Sequence, residues 1–338
     1  MLKANVSSSA GHRRAVCPVT FALAFALAGT ATAQQFVEQQ ATRFPQPPLN
    51  EYTNQMSVCD VDGDGDLDIA FANGGGFPAA GPDQQVRLFI NNGSAVFTDE
   101  SIARIGVLLG DFRGVEFGDI DRDGDWDMVL ANDNNALPRL VRNNGLGVFT
   151  NITATNLPNL TLGSSRAQFG DVDNDSDLDL YFTNGTTNRF GTGRGKLYLN
   201  DGAGLFSDAT SANTPNETVS QPQDCIFGDI DGDFDLDLRI GSTASNQSKL
   251  YFNNGAGVFT PPAVAPPPDA NCYSYDFGDI NGDGDLDLIG ANASGAGNNA
   301  ELTLNNDGSG VYTLNPFTGS TVDDNDSKFF DYDNDGDL

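Results

Sequence analysis

Residues 117–127 read FGDIDRDGDWD. Asp119, Asp121, Asp123, Asp125 and Asp127 occupy alternate positions of a nine-residue phrase, a density of like charge that a loop avoids unless something neutralises it. The phrase returns along the chain. It reads DVDGDGDLD from Asp60, DVDNDSDLD from Asp171, DIDGDFDLD from Asp229, DINGDGDLD from Asp279 and, cut short, DYDNDGDL from Asp331. Successive starts lie 50–59 residues apart, and the six copies hold more than half of the 47 acidic residues. The acidity is therefore periodic, the signature of a repeat architecture, whereas disordered acidic chains lack apolar residues. Here 38% of residues are hydrophobic and 23 are Phe.

The spacer repeats with the phrase. A short run ending in Phe-Gly precedes it (RGVEFG, RAQFG, DCIFG, YSYDFG) and a β-like run follows (LDIAFAN, WDMVLAN, LDLYFTN, LDLRIGS, LDLIGAN). Next come runs closing in NNG, NDG or NND (VRLFINNG, RLVRNNG, KLYLNDG, KLYFNNG, LTLNND), which are hairpin signals because Asn and Gly accept positive φ. Segments such as GVFT complete the unit, and no helical period is sustained. Each unit offers four short strands, too few to bury an apolar face alone. The two architectures that suit such units are a β-propeller and a linear array of small sandwiches. Short strands and lengthy loops favour the propeller, an all-β fold of four-stranded blades. Residues 36–45 (FVEQQATRFP) resemble the unit end FTNITATNLP at 149–158. Residues 34–50 are accordingly expected to be the tail of a repeat or a closing strand, and 51–338 the repeats proper. Five units are complete and the sixth stops inside its phrase, which predicts a truncated chain.

Alternate carboxylates in a tight loop suit a hard cation with oxygen ligands, and calcium accepts six to eight of them in flexible geometry. The candidate ligands are Asp60, Asp62, Asp64, Asp66 and Asp68, then Asp119, Asp121, Asp123, Asp125 and Asp127. The third and fourth copies offer Asp171, Asp173, Asp175, Asp177 and Asp179, and Asp229, Asp231, Asp233, Asp235 and Asp237. The fifth offers Asp279, Asn281, Asp283, Asp285 and Asp287, and the sixth Asp331, Asp333 and Asp335. The seventh position is expected to give its backbone carbonyl and the ninth to close the site. Magnesium demands stricter geometry, and zinc prefers Cys and His. An EF-hand is excluded because its twelfth position needs Glu, and Phe71, Leu130, Phe182, Ile240 and Gly290 stand there. Position six is Gly at 65, 124, 284 and 336 but Ser176 and Phe234 in the third and fourth copies. Those side chains resist positive φ, so binding is least secure in these two loops.

The Phe-Gly, Asp-x-Asp-x-Asp-Gly-x-x-Asp and NNG features resemble the FG-GAP repeats of integrin α-subunit propellers and the related FG-GAP or VCBS repeats of secreted bacterial proteins. The resemblance covers nearly all of 51–338. It implies a propeller, seven-bladed when complete, with structural calcium between the first two strands of a blade. It further implies a ligand surface largely opposite these loops.

Residues 1–33 read as a secretory signal peptide: a basic start with Lys3, Arg13 and Arg14, the apolar AVCPVTFALAFALAG, and the small residues Ala31–Ala33 before cleavage. This predicts a secreted, cell-surface or periplasmic protein with no transmembrane segment in its mature part. Cys59, Cys225 and Cys272 remain after cleavage; a Cys225–Cys272 bridge and buried free thiols both stay open. The net charge of −30 disfavours nucleic acid and anionic membranes as partners.

The one histidine, His12, lies in the signal, which removes Ser–His–Asp and Cys–His catalysis. Glycosidase-like carboxylate pairs abound, yet the cation loops explain nearly all clustered ones. GTGRGK at 191–196 fails the phosphate-loop spacing. Trp126, inside a loop, reads as a packing residue rather than a sugar platform. No catalytic constellation is visible, and the chain is not expected to be an enzyme. The expected function is that of a calcium-stabilised scaffold for a protein or glycan, in adhesion or assembly. The alternative is an accessory propeller of a larger secreted enzyme, with loops 73–86 and 184–195 as places to look for its chemistry.

Overall fold

The structure is a computed structural model. It describes residues 39–45, 50–75, 81–269, 271–292, 302–315, 326–329 and 331. Residues 1–33, the expected signal peptide, lie outside the described residues.

Each unit folds as one antiparallel sheet whose strands follow chain order. Blade 1 contains Thr53–Cys59, Asp68–Asn73, Arg87–Asn91 and Phe97–Asp99, and blade 2 contains Phe112–Gly118, Asp127–Asn132, Arg139–Arg142 and Thr150–Asn151. Blade 3 contains Ala167–Gly170, Asp179–Phe182, Lys196–Asn200 and Phe206–Asp208. Blade 5 contains Cys272–Gly278, Asp287–Asn292, Leu302–Asn306 and Tyr312–Asn315. Blade 4 has three strands, Pro222–Gly228, Asp237–Ser242 and Lys249–Tyr251, with its outer strand reduced to the single bridge Phe252↔Thr260. The reason is chemical: Pro261 and Pro262 follow Thr260 and have no N–H to extend the ladder. The inner strand of each blade lies beside that of the next, so the chain is an all-β, propeller-type series of blades. Five are described; the seven of the expected complete ring exceed what these residues cover.

The blades bury their faces against one another. Four apolar clusters run along the chain, and each combines consecutive blades: Cys59 and Ala70 with Phe117 and Met128, Val129 and Leu140 with Phe169 and Leu180, Tyr181 and Leu197 with Cys225 and Leu238, and Leu250 with Cys272 and Leu288. The Phe-Gly motif is the joint between them. A Cβ at Gly118 would lie 2.8 Å from the Phe169 ring and 2.9 Å from Leu178 of blade 3. One at Gly170 would meet Phe227 and Leu236, and one at Gly228 would meet Phe277 and Leu286. The glycine of one blade thus makes room for the phenylalanine of the next.

Single-turn helices α2 (Ser101–Arg104), α3 (Thr153–Asn156) and α4 (Thr210–Asn213) follow the outer strands of blades 1–3. Each helix begins with a hydroxyl residue that accepts the backbone N–H of its own blade's third strand: Ser101 from Leu88, Thr153 from Leu140 and Thr210 from Leu197. The helix α1 (Gln40–Arg43) precedes blade 1. Arg43 there donates to the Ser94 carbonyl, as Arg104 of α2 donates to the corresponding Leu146 carbonyl of blade 2. Cys225 and Cys272 are buried free thiols, so the bridge between them is not formed, and Cys59 is buried as well. Among the described residues no helix is long and apolar enough to cross a membrane.

Candidate functional site

The Asp-rich phrase is the turn between the first and second strands of every blade. Position nine pairs with the residue just before position one, as in Cys59↔Asp68, Gly118↔Asp127, Gly170↔Asp179, Gly228↔Asp237 and Gly278↔Asp287. The turn is folded by its own carboxylates. Asp60 accepts the N–H groups of Gly63, Asp64 and Gly65 at 2.8, 3.1 and 2.9 Å, and Asp279 does the same with Gly282, Asp283 and Gly284. Asp119 and Asp171 each take the N–H groups of positions five and six. The backbone is left-handed at positions four and six in all five loops. Ser176 and Phe234 adopt it too, at φ 73° and 72°, so the third and fourth loops keep the shape of the glycine-bearing ones despite the local strain.

The ninth-position aspartates are 0–1% exposed and bridge two strands. Asp127 accepts the Ile120 N–H at 3.2 Å with one oxygen and the Asn143 N–H at 2.7 Å with the other. Asp68, Asp179, Asp237 and Asp287 repeat this arrangement with Val61 and Asn91, Val172 and Asn200, Ile230 and Asn253, and Ile280 and Asn306.

Positions one, three and nine converge. Asp60, Asp62 and Asp68 bring ligand oxygens within 4.8 Å of one another, as do Asp119, Asp121 and Asp127, Asp171, Asp173 and Asp179, and Asp229, Asp231 and Asp237. Positions five and seven stand outside these triads. The fifth-position carboxylates, Asp64, Asp123, Asp175, Asp233 and Asp283, accept the N–H of position seven. The seventh-position side chains, Asp66, Asp125, Asp177, Asp235 and Asp285, turn toward the hairpin glycines Gly93, Gly145, Gly202, Gly255 and Gly308. A Cβ on any of those glycines would fall 2.5–2.7 Å from the carboxylate. In the fifth loop Asn281 replaces the third-position carboxylate. Asp331 is described, whereas Asp333 and Asp335 lie outside the described residues.

The triads have the donor set of a hard cation: carboxylate oxygens only, with no Cys or His. One oxygen each of Asp62, Asp121, Asp173 and Asp231 is buried and accepts no hydrogen bond, and so is one of Asp229. A buried anionic oxygen without a donor is costly, and a cation at the triad supplies the missing partner. The electrostatics agree. Burial, with the neighbouring aspartates adding to it, pushes Asp68, Asp127, Asp179 and Asp237 up to about 7, against the opposing pull of their two backbone N–H partners. Repeated Asp triads in this chain can hold a metal ion.

The sequence matches the FG-GAP-like repeat family over residues 60–130, 119–182 and 240–290, together more than half of the chain. The chain belongs to the FG-GAP-like repeat family. No curated protein matches it. Among solved structures, this FG-GAP-like chain is similar at 18% identity over 77% of its length to an Agrocybe aegerita lectin that specifically recognises non-reducing terminal N-acetylglucosamine, with a TM-score of 0.46. It is similar at 17% identity over 78% to the V. cholerae biofilm matrix protein Bap1, with a TM-score of 0.45. A Photorhabdus luminescens Tc holotoxin pore follows at 16% identity over 78%, with a TM-score of 0.34. The chain spans 64%, 39% and 13% of these three chains, respectively.

Two sets of residues that the sequence reading did not single out complete the FG-GAP-like site. In blades 2–5 the first asparagine of the hairpin turn reaches back to the preceding blade: Asn143 Nδ2 donates to the Val61 carbonyl at 2.7 Å, and Asn200, Asn253 and Asn306 donate to those of Ile120, Val172 and Ile230. Its recurrence as the first residue of every turn was the available signal. The other set is basic. Arg104 Nη2 lies 2.9 Å from Asp62, and Arg142 Nε 3.1 Å from Asp121. At the other end of the strands, loop 184–195 is tied to blade 2 by Arg189 Nη1, 2.6 Å from Asp133.

Proposed function

We propose that the FG-GAP-like loops hold structural calcium and that the propeller they stabilise is a secreted, non-catalytic scaffold for a protein or glycan. The observation that carries the reading is the donorless buried oxygen of the third-position aspartate, repeated in four loops beside a buried ninth-position carboxylate. Calcium, when bound, supplies divalent charge to an all-oxygen site that tolerates irregular geometry. The protein's own residues do the rest. Asp60, Asp119, Asp171 and Asp279 organise the turn through its N–H groups, and the ninth-position aspartates clamp it to the third strand. The fifth loop joins the series with the amide oxygen of Asn281 as its third donor.

Because the cation loops and hairpins share one end of the blades, the binding surface is placed at the other end. There the loops differ between repeats and are held by short ribbons, Gln84–Gln85 with Leu109–Gly110 and Thr192–Gly193 with Val219–Ser220. Thermal melting with and without a chelator, alongside calcium calorimetry, tests the first half of the proposal. A melt unchanged by chelation with no calcium heat would refute it. Glycan and protein arrays probed in calcium test the second half; no binding anywhere, with hydrolysis of an array ligand instead, would replace the scaffold with an enzyme.

A further inference from the structure

The four complete carboxylate loops are not electrically equal. In the first, Arg104 reaches Asp62, and in the second Arg142 reaches Asp121. These are the third-position aspartates, members of the triads. In the third loop, Asp173 has no basic partner among the described residues, but Arg122 of the second loop sits at the rim on Asp177 and donates to the Asp175 carbonyl at 3.2 Å. In the fourth, no basic side chain pairs with Asp229, Asp231, Asp233, Asp235 or Asp237 among the described residues. That loop also carries two buried carboxylate oxygens without a donor, on Asp229 and Asp231.

The two arginines are anchored independently of the aspartates. Arg104 also donates to the Leu146 carbonyl of blade 2 at 2.7 Å and to Glu100 at 2.6 Å. Arg142 donates to the Ala203 carbonyl of blade 3 at 3.1 Å. A guanidinium so held stays beside an arriving cation and repels it, and one that withdraws forfeits its ion pair. Either way the loop binds a cation more weakly than an equal loop without the arginine.

Resting on the calcium reading above, we propose that Arg104 and Arg142 are resident counter-charges that set a filling order. The arginine-free fourth loop takes its cation first, and the first and second loops take theirs last. This reverses the ranking drawn from position six. Phe234 already holds φ 72° in the folded loop, so its strain belongs to the fold and is not incurred again on binding.

The chain contains its own reporter. Trp126, the only tryptophan, is position eight of the second loop and packs on the cluster that includes Val61 of the first. Terbium, a hard cation with oxygen preference, is titrated into the full chain. Indole-sensitised luminescence then follows the first two loops, while calorimetry counts all bound ions. The expected result is an early, dark binding phase followed by the luminescent one. R142Q should move the luminescent midpoint to about tenfold lower terbium, the effect of one removed charge. R142K, which keeps the charge, should leave it in place and controls for the lost Ala203 contact. D231N should weaken the dark phase. Luminescence that rises with the first bound ion, or a midpoint unmoved in a normally melting R142Q, overturns the filling order while the metal sites stand. No bound terbium or calcium by calorimetry overturns the metal reading itself.

Discussion

Stripped of cations, the protein is expected to become less stable as pH rises from about 4 to about 8, the reverse of an ordinary acidic domain. The groups chiefly responsible are Asp68, Asp127, Asp179 and Asp237, together with Glu116 of blade 2, each pushed up to about 7 by burial. An unfolded Asp titrates near ~3.9. Between these values the fold holds protons that the unfolded chain has lost, so the stabilisation is full below about pH 4 and is lost as pH passes 7. For one such carboxyl the difference is about 4 kcal/mol, a large share of the ~5–15 kcal/mol that holds a typical domain together. Five such groups acting together would leave the chelated chain close to unfolding at neutral pH. Calcium removes the penalty, because the ionised carboxylate is then the favoured form. Circular-dichroism melts at pH 4.5, 6 and 7.5, in chelator and in excess calcium, read this directly. The chelated Tm should fall with pH and the calcium Tm should not. D127N should shrink the chelated fall by roughly a fifth, as one of the five most strongly raised groups no longer ionises. In calcium it should melt below wild type, having replaced a charged acceptor at the Ile120 and Asn143 N–H groups. A chelated Tm that is flat or rises with pH would refute the reasoning.

Three further outcomes are expected. F234G should stabilise the fold by roughly 0.5–1 kcal/mol in urea melts, since relief of a left-handed non-glycine residue exceeds the added freedom of the unfolded chain. N200A removes the donor to the Ile120 and Leu178 carbonyls and the acceptor for the Gly204 N–H. A loss of about 2–3 kcal/mol should appear in the same assay, with faster proteolysis at the joint between blades 2 and 3. G170A should cost about 1–3 kcal/mol by overpacking against Phe227 and Leu236, and an unchanged melt would remove the Phe-Gly joint from the account.

The blade strands were legible because the Asp phrase and the Asn-Gly turn bracket them in every unit, and both signals act locally. What escaped the sequence reading acts between units. Pro261 and Pro262 were visible, but their effect on the outer strand of blade 4 depends on ladder pairing with Phe252. The Phe-Gly motif was readable as a repeat, whereas its purpose is a contact with the following blade, 51 residues on in the case of Gly118 and Phe169. Asn143 and Asn200 read as turn residues, and their side-chain donation crosses about 80 residues. Arg104 and Arg142 occupy ordinary surface positions of a helix and a strand in the linear text; only folding sets them on Asp62 and Asp121. Ser176 and Phe234 pointed to weak loops because side-chain strain is visible in sequence, while the surrounding bonds that impose the left-handed backbone are not.

These long-range contacts meet at one residue per blade. The residue at position two of the loop, Ile120 for example, gives its N–H to Asp127 of its own blade and its carbonyl to Asn200 of the next. Asp127 in turn holds the N–H of Asn143, whose side chain grips the Val61 carbonyl in the blade before. The chain of bonds therefore runs from blade 1 through the second loop to blade 3, and its two halves are joined at the Asp127 carboxylate of a candidate cation site. A single apolar interface would let neighbouring blades slide, since hydrophobic burial is not directional. The Asp–Asn relay fixes their register, but it does so with a buried anion that is unstable by itself. A cation in the loop thus secures the alignment of three blades as well as one turn. On this account, losing one ion loosens the blade before and the blade after it together, and the repeat of the Asp phrase in every unit follows from the repeat of the joint.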